Sequence, residues 1–398
     1  MKNILFAAFG FLFLTTNVFA QSKSQQSMAS LIDEQMNFAA KQYKVLAKNV
    51  PADRMPKALK DGKVETSDTK WWCSGFYPGS LLYIYEYTKD PEIKAEAQRR
   101  LDILEKEKHY TGNHDLGFMM YCSFGNAYRL FNRLEDKKTI DTAAMSLSTR
   151  YRPSIKVIQS WNSSAKMKCP VIIDNMMNLE LLCWVTDNGG DAKFKDIAIN
   201  HANTTMATHF RPDYSSYHVL DYNLETGKLE RKMTHQGYAD ESAWARGQAW
   251  GLYGFVTMFR FTKDLHYLDL SKNIAEYLLN HPNKTADLIP YWDYNAPNIP
   301  NALRDASAGA VMASALLELG RYSSDKERVK YVAAAEKMIR ALASNKYRAK
   351  LGQNGGFLLM HSVGHLTAKS EVDTPLTYAD YYFLEALLRY KEWYLKKQ

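Results

Sequence analysis

Cysteine is scarce in this chain. There are four in 398 residues, at positions 73, 122, 169 and 183, with no CxxC pair and no Cys/His cluster at zinc spacing, so a metal site is not expected. Cys122 and Cys183 fall on apolar helical stretches and read as inert buried thiols. There is no HExxH, no glycine-rich phosphate loop and no GxSxG, which leaves zinc proteolysis, nucleotide binding and the serine-hydrolase elbow without support. The formal net charge is +8, yet no block of five or six basic residues occurs. A nucleic-acid arm is therefore excluded, and an acidic small substrate or glycan fits the scattered charge better. No Pro/Gly/Ser linker divides the chain, so residues 21–398 read as one domain. No cofactor is implied.

The N-terminus reads as a secretory signal. Lys2 opens it, Ile4 to Leu14 is apolar, and Val18-Phe19-Ala20 forms a small-residue cleavage pattern before Gln21. The apolar piece is too short to span a bilayer, and no Cys follows the cut to take a lipid. The mature protein is expected to be exported, in the periplasm, without membrane insertion.

What is abundant is aromatic and helical. Aromatic residues make up 13% of the chain, with 26 Tyr and 8 Trp, material suited to ring-binding clefts or to a large helical core. Periodicity predicts twelve helices, over 28–48, 75–88, 91–108, 116–132, 137–149, 175–186, 192–209, 241–262, 266–280, 306–319, 326–347 and 375–396. The odd-numbered ones are amphipathic, and the even-numbered ones are apolar nearly all round, as buried helices are. Carboxylates open the even helices at Asp115, Asp174, Asp240, Asp305 and Asp373, in steps of 59, 66, 65 and 68 residues. One helical hairpin per step predicts an all-α (α/α)6 toroid, with even helices inside and odd helices outside. The inner N-termini then gather at one mouth, where helix dipoles favour an anion. Short hairpins are expected over that mouth, around Glu225-Thr226-Gly227 and around Ser362-Val363-Gly364.

A carboxylate ahead of a helix ordinarily caps it. Asp115 and Asp174 invite a second role, because adjacent inner helices would hold them face to face. Like charges held close raise one pKa and leave a proton donor beside a carboxylate, the equipment for breaking glycosidic bonds. Arg246 and Trp250 share a helix face, offering a fork for a carboxylate and a platform for a sugar ring. Trp71 and Trp72 add aromatic wall, and His114, His218, His235 and His361 fall near the mouth.

These motifs have a family likeness. Trp72-Cys73-Ser74-Gly75-Phe76-Tyr77-Pro78-Gly79, His114-Asp115-Leu116-Gly117-Phe118, Ile173-Asp174-Asn175-Met176-Met177-Asn178 and Trp244-Ala245-Arg246-Gly247-Gln248-Ala249-Trp250 resemble, in order, the unsaturated glucuronyl hydrolases of glycoside hydrolase family 88. Pro375-Leu376 with Tyr378-Ala379-Asp380-Tyr381-Tyr382-Phe383 matches the last inner helix of that family. The resemblance implies hydration of the C4=C5 bond in the terminal unsaturated uronic acid of lyase-made, glycosaminoglycan-type oligosaccharides. It implies Asp174 as general acid and base, assisted by an ionised Asp115, and His218, Gln236, Arg246 and Trp250 as ligands of the unsaturated residue, with Trp72 and His114 on the wall. Ser362, Lys369 and Ser370 are candidates for sulfate or leaving-sugar contacts, as are Arg231 and Lys232. Two alternatives stay open at this point: an unsaturated rhamnogalacturonyl hydrolase of pectin breakdown, and a non-catalytic exported glycan-binding protein.

Overall fold

Six of the twelve helices close on themselves as a ring in this computed structural model, which describes residues 26–395. The predicted signal Met1–Ala20 lies outside the described residues. The helices are α1 (Met28–Lys48), α2 (Phe76–Thr88), α3 (Pro91–Leu104), α4 (Asn126–Phe131), α5 (Leu134–Ser148), α6 (Leu179–Asp187), α7 (Ala192–Thr208), α8 (Ala245–Thr262), α9 (Leu265–Asn280), α10 (Ala306–Arg321), α11 (Asp325–Leu342) and α12 (Thr377–Tyr390). A π-helical segment, Gly117–Gly125, runs straight into α4, and a 3-10 turn, Ile173–Asn178, runs into α6. The even members pack in sequence, α2 on the π segment, that on α6, then α8, α10 and α12, and α12 returns to α2. The odd members pack outside them, each against its hairpin partner. The chain is thus an (α/α)6 toroid, as predicted.

Burial follows the sequence period. Every residue of α10 from Ala306 to Gly320 is buried, and so is every residue of α8 from Ala245 to Phe259. The outer helices bury one stripe only. Five of the six are closed at their N-termini by side chains: Ser27, Asp90, Asp191 and Asp264 cap α1, α3, α7 and α9, and Ser324 with Glu327 makes a capping box on α11, whereas α5 has no side-chain cap. Of the inner openings, only that of α10 has a side-chain cap, from Asp305. The others lack a side-chain N-cap, and several of their first N–H groups are bonded elsewhere, Phe76 to the Cys73 carbonyl, Phe118 to Asn178 Oδ1 and Ala245 to the Trp292 carbonyl. The aligned helix dipoles still make that end of the ring electropositive.

Several boundaries differ from expectation. The helix predicted from Glu241 begins at Ala245, because Ser242 is held in a turn, donating to Asp293 Oδ2 at 2.6 Å. The helix predicted from Pro375 begins at Thr377. The predicted 116–132 helix opens as a π segment and the 175–186 helix as a 3-10 turn.

Seven short strands lie on the loops. β1 (Met55–Lys60) and β2 (Lys63–Ser67) form a hairpin that the helical period passed over, turning at Asp61-Gly62 with φ of 50° and 74°. β3 (Tyr151–Arg152) pairs with β4 (Val157–Ile158). β5 (Pro170–Ile172), β6 (Val219–Tyr222) and β7 (Leu229–Met233) make an antiparallel sheet in that order, the last pair turning through Gly227 at φ +70°, where a hairpin was expected. The other expected hairpin is displaced. Ser362–His365 runs against Ser370–Thr374 and turns over 366–369, with Lys369 taking φ 54°, rather than at Ser362-Val363-Gly364.

Candidate active site

The uncapped inner N-termini surround a cavity of about 510 Å³. Asp115 and Asp174 both line it, together with Trp72, His114, Gln236, Arg246 and Ser370. Local structure explains the placement. The Asp115 N–H donates to Asn113 Oδ1 at 2.9 Å, which sets the turn ahead of the π segment. Asp174 follows β5 directly, and the Ile173 N–H donates to the His218 carbonyl at 3.0 Å. The β5–β6 register, Ile172 opposite Val219, therefore sets His218 against Asp174.

Asp174 is not a helix cap. The 3-10 turn has no side-chain cap, and Asp174 Oδ2 is buried without a hydrogen-bond partner. Burial lifts its pKa from the usual 3.8 to about 7, against the opposing pull of the Arg246 charge and the Trp250 indole. Asp115 is raised well above the carboxylate range by burial first and by the Asp174 charge second. Each acid disfavours ionisation of the other, so the pair retains a proton at neutral pH. Burial and the Asp174 charge both push Asp115 toward its protonated form in the free protein, whereas the resemblance implied an ionised Asp115.

Each acid faces one buried neutral imidazole. His114 Nε2 lies 3.4 Å from Asp115 Oδ1, and His218 Nε2 lies 3.6 Å from Asp174 Oδ2. Desolvation lowers the His114 pKa to about 3 and pushes His218 well below its ordinary value.

Of the residues expected to bind substrate, Arg246 is the most altered by the structure. Its guanidinium donates to Asp305 Oδ2 at 3.0 Å, to the Val363 carbonyl at 2.5 Å and to the Gly364 carbonyl at 2.7 Å, and it stacks on Trp244. It anchors the 362–371 loop and turns only part of its fork to the cavity. Gln236 shares that task, donating to the Gly364 carbonyl at 2.9 Å. Trp250 is fully buried against Phe118 and Tyr382, so it is floor rather than sugar platform. His218 stands behind the wall, stacked on Trp244. Trp72 packs on Tyr378 at the wall itself.

Among the sulfate candidates, Ser370 lines the cavity, whereas Ser362 is buried away from it and Lys369 points to solvent. Arg231 pairs with Asp221, and Lys232 covers Tyr217; neither reaches the cavity. His361 is engaged by Asp373 at 2.7 Å outside it. The repeating carboxylates thus divide. Two meet in the cavity, Asp305 caps α10 and holds Arg246, Asp240 accepts from the Thr234 N–H, and Asp373 pairs with His361.

Sequence reasoning missed Trp161, Lys57 and Glu371. Trp161 lines the cavity edge-on to His235. Lys57, from β1, lies 3.2 Å from Glu371 and 4.8 Å above the exposed Trp71 ring. The Asp61-Gly62 turn was the available signal for Lys57. Trp161 sits in an irregular loop with no periodicity to place it. All four cysteines are free thiols. Among the described residues no three His, Cys, Asp or Glu side chains converge as a metal site requires, and no helix is long and apolar enough to cross a membrane.

A second cavity, of about 370 Å³, opens at the other end of the ring. Its charges pair with one another, Arg260 with Glu180 and Glu318, Arg389 with Glu318 and Glu385, and Arg129 with Glu86.

The model of Glycosyl Hydrolase Family 88 matches residues 48–393. The chain is 39% identical over 393 residues to an unsaturated glucuronyl hydrolase of Formosa agariphila, covering 97% of each. It is 34% identical over 369 residues to an unsaturated chondroitin disaccharide hydrolase of Streptococcus pyogenes, covering 91% of this chain and 92% of that one. Among solved structures it resembles an unsaturated glucuronyl hydrolase specific for heparin, with 44% identity, a TM-score of 0.88, and 91% of this chain and 97% of that chain covered.

Proposed function

The chain belongs to Glycosyl Hydrolase Family 88, and from that premise we propose how its cavity acts and on what. It is a glycoside hydrolase of the unsaturated glucuronyl type. The substrate is an acidic oligosaccharide of glycosaminoglycan type, left by a polysaccharide lyase with a C4=C5 double bond in its non-reducing terminal uronic acid. The names of its relatives support glycosaminoglycan over pectin.

The carrying observation is the pair of buried carboxyls in one cavity, both with raised proton affinity. A glycan-binding protein has no need of two acids desolvated together, and their burial is costly unless it serves chemistry. The substrate carboxylate is drawn to the positive end of the inner-helix dipoles and to the open side of Arg246. Its charge, arriving beside Asp174, raises the Asp174 pKa further and populates the acid form. Asp174 then gives its proton to C4, and the π electrons of the double bond form the new C–H bond. The positive charge at C5 is shared with the ring oxygen. Water adds at C5 and returns a proton to Asp174. The resulting hemiketal opens at the C5–O5 bond to a C5 ketone, and the hemiacetal freed at C1 releases the shortened sugar. One water is consumed and Asp174 is restored. Asp115, by its proximity, keeps the proton affinity of Asp174 high, which favours the acid form before the first transfer and its recovery of a proton from water in the second. Met1–Ala20 is read here as an export signal, which places the enzyme in the periplasm, where lyase products would reach it.

The test is a panel of lyase-made disaccharides from chondroitin, hyaluronan, heparin and pectin, followed by loss of the double-bond absorbance. Consumption of the glycosaminoglycan members supports the reading. Consumption of the pectin product alone rejects the substrate class, and no consumption of any rejects the reaction.

A further inference from the structure

The His218 ring is buried and flat against Trp244, with centroids 4.3 Å apart. Its Nδ1 accepts two backbone N–H groups, from His235 and from Gln236, each at 3.2 Å. A ring nitrogen that accepts carries no proton, so in neutral imidazole the hydrogen sits on Nε2. The ring is neutral because it is desolvated and because His235, Arg246, His365 and His209 surround it with positive or titratable groups. Its Nε2 has no hydrogen-bond partner, and neither has Asp174 Oδ2. These two unpartnered atoms face each other at 3.6 Å. Buried polar atoms are rarely left unsatisfied, and a pair left so beside a reacting acid is poised to close. His218 does not line the cavity, whereas His235 and Gln236 do.

We propose that His218 is a positioning residue whose Nε2–H, held in that tautomer by the His235–Gln236 backbone, bonds to Asp174 as its carboxylate forms. The inference rests on Asp174 being the proton donor. When the Asp174 O–H bond breaks toward C4, its electron pair stays on the carboxylate, and the His218 N–H···O contact tightens without transfer of the ring proton. When Asp174 regains a proton from water, the contact relaxes. The lock is tied to the loop at the outer end of the cavity. The His235 carbonyl accepts from His365 Nε2 at 2.7 Å, and Gln236 is bound to Gly364. A leaving sugar that shifts this loop would also shift the nitrogen facing the acid.

The experiment compares pH profiles of kcat and KM for the wild type, His218→Asn and His218→Gln. Asn keeps an acceptor near the Nδ1 position and lacks the donor; Gln reaches the Nε2 position with an amide N–H. Besides Asp174, the groups that titrate or carry charge around this point are Asp115, His114, Arg246, His209, His235, His365 and Glu371, and they are common to all three proteins. For His218→Asn the proposal expects kcat to fall roughly 10- to 100-fold with KM little changed. It also expects the alkaline limb to move up by about one pH unit, because the carboxylate has lost a donor that favoured it. His218→Gln should recover most of the lost rate and return the limb. A rise in KM with kcat intact would make His218 a substrate ligand and overturn the proposal. Equal losses in both variants with the limb unmoved would make it structural and do the same. Should the Asn variant not fold, 15N spectra of wild-type histidine decide, since a protonated Nδ1 is incompatible with the lock. Asp174→Asn in the same assay separates the two levels, because activity retained there would reject the acid itself and not only its partner.

Discussion

Gly117 lies so close to Asn178 that a Cβ added to it would sit 2.5 Å from the Asn178 Cα. The Phe118 N–H donates to Asn178 Oδ1 at 3.0 Å across the same contact. This is where the π segment carrying Asp115 meets the 3-10 turn carrying Asp174, and the close backbone approach brings the two acids into one cavity. Gly117→Ala must push the elements apart. The expected cost is about 1–3 kcal/mol of stability, with turnover lost well below the melting temperature as the acids separate. Thermal denaturation and activity measured on the same preparation check this, and wild-type turnover in a destabilised variant would show that the contact does not set the acid geometry.

Asp174→Asn removes a proton donor and a buried acid together, and the two effects have opposite signs. Turnover should fall by roughly 10²- to 10⁴-fold, with calorimetric binding of an unsaturated disaccharide retained. Stability should rise at alkaline pH. The folded-state pKa of about 7 exceeds the unfolded value, so the group's contribution is fully present below about pH 4 and is lost as pH rises through about 7. The variant avoids that loss, on the order of a few kcal/mol. Its melting temperature should match the wild type at pH 4 and exceed it at pH 8. Equal melting at both pH values would mean Asp174 ionises freely in the folded protein.

The same titration bears on rate. In the free enzyme the donor form of Asp174 disappears as pH rises through about 7, so kcat/KM should decline above neutrality. Added salt should move that limb little, because the pair is buried and poorly screened. A profile flat from pH 6 to 9 would remove Asp174 as the acid.

Much of this architecture was legible because it repeats. The alternation of amphipathic and all-apolar helices has the 3.6-residue period, and carboxylates every 59 to 68 residues mark the inner openings. That Asp115 and Asp174 could meet followed from adjacent inner helices, but that Asp240 and Asp373 serve loops instead was not legible from the repeat. It depends on which inner opening lies flush with the ring and which follows a turn, as Asp240 does four residues ahead of Trp244. The π segment has no sequence pattern of its own. Lys57, Trp161 and Glu371 arrive from loops far apart in the chain, joined only by tertiary contacts. The engagement of Arg246 was hidden for the same reason, since its partners at Val363 and Gly364 are main-chain carbonyls, which any residue supplies.

Arg246→Lys is a sharper test of that engagement than removal of the charge. Lys keeps the positive charge but cannot bond Asp305, Val363 and Gly364 at once in the planar geometry of Arg. If Arg246 acted only by attracting the uronate, the Lys variant would bind nearly as well as the wild type. Because it also holds the loop, affinity should drop by roughly tenfold or more, and amide exchange over 362–366 should accelerate. Normal exchange with normal affinity would reduce Arg246 to a point charge.

Ser160 carries the last prediction. Its hydroxyl accepts the Ile172 N–H at 2.9 Å, which leaves its own hydrogen for His114 Nδ1 at 3.4 Å. His114 then holds its proton on Nε2, which lies 3.4 Å from Asp115 Oδ1 and has no other hydrogen-bond partner. Ser160→Ala leaves a buried N–H and a buried ring nitrogen without partners, at about 1–3 kcal/mol of stability. It also frees the imidazole to take the other tautomer, presenting a lone pair to Asp115, which favours the protonated acid still more strongly. Turnover should therefore fall about tenfold or more at temperatures where denaturant titration shows the variant fully folded. If only stability changes, Ser160 braces the loop and has no part in setting the proton on the acid pair.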